Sequence, residues 1–267
     1  MRYCRFQSES GARFGKVERG GGGAEDMITA LLPDFPETHG TAAAAGGKFV
    51  PIPLSKAKLL APVIPSKIVC VGRNYREHAS ELGHDVPAEP LIFFKPPSSI
   101  IAPGEKVQLP PSSMTQRVDY EGELGVVIGK RCSKLATGTD VRPYIRGYVC
   151  VNDVTARDIQ KKDSQWTRAK GFDTFCPVGP VVSDELDPFG AGAEVTTHVN
   201  GELRQKGNTR EFIFGLDILI HYISQVMTLE PGDLIPTGTP AGVGPVKSGD
   251  LMEVTVTGVG TLRNSVV

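Results

Sequence analysis

The chain has 267 residues, 29 Lys and Arg against 30 Asp and Glu, and a formal net charge of −1. With no long Lys/Arg run, that balance excludes a general nucleic-acid binder and a polybasic membrane anchor, and points to a small-molecule target. The five cysteines form no Cys-x-x-Cys pair and read as buried thiols of a cytoplasmic protein; no apolar signal region opens the chain, and Asp217, His221 and Gln225 interrupt the longest apolar helical stretch, so no membrane span is expected.

Residues 1 to about 19 alternate apolar and polar around Ser10-Gly11-Ala12, the pattern of a hairpin, and Gly20 to Gly23 reads as a spacer. Met27–Leu32 is expected as a short helix, followed by a connection through Thr41–Gly47 and the proline-rich stretch from Pro51 to Pro65. The boundary of this small leading module falls near residue 60. Ile68–Gly72 is then a buried strand, and Asn74–Leu82 a helical turn before Gly83. Leu91–Phe94, Lys106–Leu109, Glu123–Ile128 and Gly147–Asn152 are strand-like, and Val195–Arg204 contains the hairpin turn Asn200-Gly201. One long amphipathic helix is expected over Phe212–Met227, and β character returns from Asp250 to Val267, with a turn near Gly258 and Gly260.

The chemistry concentrates in two acidic words, Asp119-Tyr120-Glu121-Gly122-Glu123 and Asn152-Asp153. Strand side chains alternate faces, so Glu121 and Glu123 point the same way and repel unless a cation sits between them. Asp153 can add a third carboxylate, and a hard divalent ion bound through oxygen is the usual remedy. A solvated acidic ribbon is the alternative, but the adjoining runs Val126-Val127-Ile128 and Val149-Cys150-Val151 place these groups near a core. His78 and Glu81, three apart, form either a general base or an exposed helical charge pair. Arg157, with Gln160 on the same helical face, either clamps a substrate carboxylate or pairs with Asp153 or Asp158. Lys170 is a surface lysine or a stabiliser of a developing enolate oxygen. The glycine-rich Pro236–Gly244 is a poor dinucleotide fingerprint, because no amphipathic helix follows it; its N–H groups and Thr239 can hold a carboxylate, or it is a tight connection.

Taken in order, Val71-Gly72-Arg73-Asn74-Tyr75, Asp119–Gly125, Asn152–Asp158, Lys170–Pro177, Val199–Glu202 and Thr237–Pro240 resemble the fumarylacetoacetate hydrolase superfamily over roughly residues 60–267. The resemblance implies an α+β, mostly β fold: a mixed β-roll catalytic domain over 61–267 behind a small module over 1–60. It further implies a Mg²⁺ or Mn²⁺ cofactor, a homodimer, and a 2-oxo acid as the small-molecule substrate. It assigns Glu121, Glu123 and Asp153 to the metal, His78 and Glu81 to a lid dyad that handles water, and Lys170 to catalysis. Arg73, Tyr75, Arg157, Gln160 and Thr239 fall to substrate binding, and the segment from Glu81 to Pro90 to the lid. The reaction expected is cleavage of a C–C bond by hydrolysis, as of an acylpyruvate, slightly ahead of oxaloacetate decarboxylation, with isomerisation of a 2-hydroxy-dienoate as a further alternative and a non-catalytic 2-oxo-acid binder as a remote one.

Overall fold

The computed structural model describes residues 1–21, 25–34, 36, 49–81 and 85–267; the expected connection through Thr41–Gly47, part of the glycine spacer and the lid's residues 82–84 lie outside them. Strands β1 (Arg2–Ser8) and β2 (Gly11–Glu18) form the expected hairpin, with Gly11 at a φ of 110° after the turn. The next segment corrects the sequence expectation. Met27–Leu32 is not a helix but strand β3, antiparallel to β2. The edge of β2 on one side and Ile52–Pro53 on the other offer the segment's backbone groups ladder partners.

Two short strands, β4 (Ile52–Pro53) and β5 (Leu59–Leu60), return the chain to β3 and β1. After them come β6 (Ile68–Gly72), helix α1 (Arg76–Glu81), β7 (Leu91–Lys95), β8 (Ile100–Ile101), β9 (Val118–Tyr120), β10 (Gly122–Ile128), β11 (Ile145–Asn152) and β12 (Thr155–Ala156). Helices α2 (Arg157–Lys162) and α3 (Thr167–Lys170) precede β13 (Cys176–Ser183) and the hairpin of β14 (Glu194–Val199) and β15 (Glu202–Asn208). Helix α4 (Leu216–Val226), β16 (Leu234–Pro236), β17 (Gly244–Pro245), β18 (Leu251–Val256) and β19 (Gly260–Ser265) complete the chain.

The main sheet runs β4-β3-β2-β1-β13-β11-β10-β16-β6-β7, so the leading segment is continuous with it through the β1–β13 pair. Two smaller sheets, β12-β9-β17 and β15-β14-β18-β19, pack beside it. This is the mostly β, α+β architecture expected. Two boundaries differ from expectation. Lys106–Leu109 is not a strand but a bridge, Val107 to Val266, although the Val107 and Leu109 N–H groups donate to the Ser265 and Val267 carbonyls alongside it. The long helix begins at Leu216 rather than Phe212: Gly215 is its N-cap, and the amides of Ile213 and Phe214 are taken by the backbone and side-chain oxygens of Asn74.

Strands β10 and β11 are buried on both faces. Leu124, Val126 and Ile128 pack in one core with Leu219, Ile220 and Ile223 of α4, while Val127, Val149 and Val151 pack in another with Ile68 and Cys70. Burying both faces explains the near-continuous apolar runs in these strands. Since β10 and β11 are antiparallel, with Gly122 opposite Asn152, the start of one and the end of the other meet at one end of the sheet. The C-terminal end of β16, antiparallel to β10, lies there too, and parallel β6 beside it ends on the same side.

Candidate active site

At that end the chain gathers charge. Glu121 occupies the break between β9 and β10, held by its N–H to Asn152 Oδ1 (3.0 Å) and by its C=O, which accepts from Asp153 N–H (2.8 Å). Glu123 points from β10, and its Oε2 accepts the Gly238 N–H at 2.8 Å. Glu121, Glu123 and Asp153 are 4%, 2% and 1% exposed, and one oxygen of each lies within 4.8 Å of the others.

Buried cations answer two of the three. Lys170 Nζ donates to Glu121 Oε2 (2.7 Å) and Asp153 Oδ2 (2.6 Å), and Lys95 Nζ donates to Asp153 Oδ1 (2.7 Å). Arg157 donates through Nη2 to Glu121 and through Nε to Asp119 (2.9 Å), and its remaining nitrogen meets Gln160. Burial alone would raise the Glu121 carboxyl, but Lys170 and Arg157 hold it far below the usual carboxylate range. Glu123 goes the other way. Burial, then the charges of Asp153 and Glu121, push it well above its ordinary value, because its own hydrogen-bond partner is an amide rather than a cation. Lys170, which burial would discharge, is kept an ammonium by Asp153 and Glu121.

The trio suits a hard divalent cation: three carboxylate oxygens converge in a buried place, and the member without a cation is an acid held above its normal range for want of positive charge. The residues therefore fit Mg²⁺ or Mn²⁺.

A cavity of about 280 Å³ opens onto this cluster, lined by Arg73, His78, Glu121, Glu123, Asp153, Arg157, Gln160, Lys170 and Thr239, with Phe93 and Trp166 as its apolar wall. His78 is 4% exposed, and its Nδ1 lies 3.1 Å from Oε2 of Glu81, whose side chain is 32% exposed, so the imidazole is buried and its carboxylate partner faces solvent in part. The second oxygen of Glu81 accepts the Gly242 N–H at 3.0 Å; burial raises the Glu81 carboxyl, but these two hydrogen bonds bring it below the ordinary value. Thr239 Oγ1 donates to the Gly122 carbonyl at 2.9 Å. Tyr75 stands apart from the others. Its ring packs edge-on against Phe212, 5.1 Å between centroids, and lines a different cavity with Arg76 and Arg210.

Several site groups escape sequence reasoning. Asp119 shares the parity of Glu121 and Glu123, which is a usable signal. Lys95, 1% exposed, ends the apolar run Leu91–Phe94 just before Pro96, and a charge closing an apolar strand is a second signal. Gln205, 1% exposed on β15, accepts from Gly122 N–H and donates to Thr239 Oγ1 and Pro240 C=O; nothing in its neighbourhood along the chain marks it.

Comparison with known proteins agrees with this geometry. The fumarylacetoacetate hydrolase C-terminal family model matches residues 67–267, and an Rv2993c-like N-terminal model matches residues 1–62. Protein Rv2993c of Mycobacterium tuberculosis is 44% identical over 268 residues, covering 100% of this chain and 98% of that protein. Oxaloacetate tautomerase YisK of Bacillus subtilis is 44% identical over 227 residues, covering 80% of this chain and 74% of its own. The crystal structure of 2-hydroxyhepta-2,4-diene-1,7-dioate isomerase from Mycobacterium marinum superposes with a TM-score of 0.87 at 42% identity, covering 100% of this chain and 98% of that one. The chain belongs to the fumarylacetoacetate hydrolase family.

Proposed function

We propose that the protein is a divalent-metal-dependent enzyme that moves a proton between carbon and oxygen in a 2-oxo dicarboxylic acid, interconverting the keto and enol forms of a substrate of the oxaloacetate type. The observation that carries this reading is one cavity holding a buried carboxylate trio, a buried ammonium at Lys170 and an imidazole at His78 whose Nδ1 is engaged by Glu81. A cation held by Glu121, Glu123 and Asp153 would polarise the 2-oxo group. Lys170 sets a second positive charge beside the place where enolate charge develops, and its two carboxylate neighbours keep it protonated so that it stabilises rather than abstracts.

His78 is then the group that carries the proton. With Nδ1 engaged by Glu81, the other ring nitrogen is left to exchange a proton with the substrate carbon. Arg157 has its guanidinium taken by Asp119, Glu121 and Gln160, which leaves Arg73 as the lining arginine whose buried Nε has no partner among the described residues and can meet a substrate carboxylate. Phe93 and Trp166, edge to face at 5.1 Å, exclude water from the apolar side.

Tautomerase and isomerase, the activities for which the two relatives are named, both move a proton without breaking a C–C bond, and this ranks proton transfer ahead of the hydrolysis expected from sequence. Hydrolysis of an acylpyruvate is a second reading, favoured by the same His78–Glu81 pair, which can activate water as readily as it can take a proton from carbon.

A side-by-side assay separates them. With Mg²⁺-loaded protein, ketonisation of enol-oxaloacetate should be accelerated, and His78→Ala should slow it by about 10²-fold or more. Cleavage of acetylpyruvate without any effect on ketonisation would transfer the assignment to hydrolysis. Inertness toward both substrates would overturn both readings.

A further inference from the structure

Glu81 belongs to a six-residue helix, and a helix that short has little stability of its own, so the geometry of the His78–Glu81 pair depends on what ties it down. Among the described residues the Glu81 carboxylate has one hydrogen bond beyond His78: the Gly242 N–H, at 3.0 Å. Gly242 is in turn anchored. The Tyr120 phenol donates to its carbonyl at 2.8 Å, and Gly244, two residues on, pairs with Tyr120 in the β9–β17 ladder. Gly242 has a φ of 101°, and a Cβ there would sit 2.0 Å from the Arg204 carbonyl oxygen, so the segment passes β15 closely and is bound to one path. Tyr120 is 3% exposed, does not line the cavity, and immediately precedes Glu121.

We propose that Tyr120 is a positioning residue for the His78–Glu81 pair: its hydroxyl fixes Gly242, whose N–H aims the Glu81 carboxylate at His78, so that the strand leading into the carboxylate trio also sets the place of the proton carrier. The phenol touches neither substrate nor cation and acts through two hydrogen bonds in series. The effect on rate rests on the reading of His78 given above; the structural claim about Gly242 does not.

The test is Tyr120→Phe in the full-length, Mg²⁺-loaded protein, which removes one oxygen and keeps the ring. Four quantities are read: kcat and KM for ketonisation of enol-oxaloacetate, Mg²⁺ affinity by calorimetry, and solvent exchange of the Gly242 amide by NMR. Loss of this half-buried hydrogen bond should lower kcat by about tenfold and speed Gly242 exchange by about as much, with KM and Mg²⁺ affinity within about twofold of the parent. Unchanged Gly242 exchange overturns the proposal, as does faster exchange with an unchanged kcat. Loss of Mg²⁺ affinity in step with kcat overturns it too, since Tyr120 would then be acting on the carboxylates. His78→Ala is run in parallel. Full activity in that variant defeats the functional reading alone, and the amide exchange still decides whether Tyr120 holds Gly242.

Discussion

Lys170 is 1% exposed, and a buried ammonium is costly unless its charge is matched; here two carboxylates match it within 2.7 Å. Its place between a carboxylate from the Glu-x-Glu word and one from the end of β11 makes it the group best sited to answer charge that appears during reaction. Lys170→Met should therefore lower kcat by about 10²- to 10³-fold while changing KM far less, as steady-state kinetics would show. A normal kcat with a raised KM would make Lys170 a ground-state binder. The carboxylates were legible in sequence because strand alternation makes Glu121 and Glu123 neighbours. The partners of Arg157 were not. Local sequence offered Asp153 and Asp158, whereas the fork reaches back to Asp119 and Glu121, and only the antiparallel β9–β12 pairing brings those segments together.

At the scale of elements, β10 carries a constraint at its first residue, Gly122. Gly122 lies between the two glutamates, and a Cβ on it would fall 2.0 Å from Thr197 Oγ1 and 3.2 Å from Val254 Cγ1, where β14 and β18 cross over it. Gly122→Ala should cost about 1–3 kcal/mol by overpacking, visible as a lowered midpoint in urea; an unchanged midpoint would mean that the two sheets give way freely. The elements readable from sequence are those whose determinants are local. Asn200 and Gly201 adopt φ of 54° and 80°, the left-handed pair that a two-residue hairpin turn demands. Met27–Leu32 misleads because its apolar spacing, with Ile28 and Leu32 buried, satisfies a helix face and a strand face alike, and the deciding fact is the open edge of β2. The start of α4 misleads for a similar reason: Asn74, far away in sequence, removes Ile213 and Phe214 from the helix.

Across the whole molecule, long-range pairing builds the site. The trio comes from the β9–β10 break, from β10 and from the residue that follows β11, Lys95 from the end of β7, Lys170 from the end of α3, and the amides of Gly238 and Gly242 from the loop after β16. That loop touches Glu123 at one end and Glu81 at the other, so the carboxylate trio and the His78–Glu81 pair share a support. All five cysteines are free and buried, with Cys150 and Cys176 pushed up to about 12 by burial, and among the described residues no helix is long and apolar enough to cross a membrane. The central claim is that Glu121, Glu123 and Asp153 together hold a divalent cation on which activity depends. Calorimetric titration of Mg²⁺ into chelator-treated protein, repeated on Glu123→Gln, tests it most directly. The account expects saturable binding that weakens by about tenfold or more when one of the three anionic oxygens becomes a neutral amide. Failure of the unmutated protein to bind Mg²⁺ or Mn²⁺, or equal affinity in the variant, would contradict it.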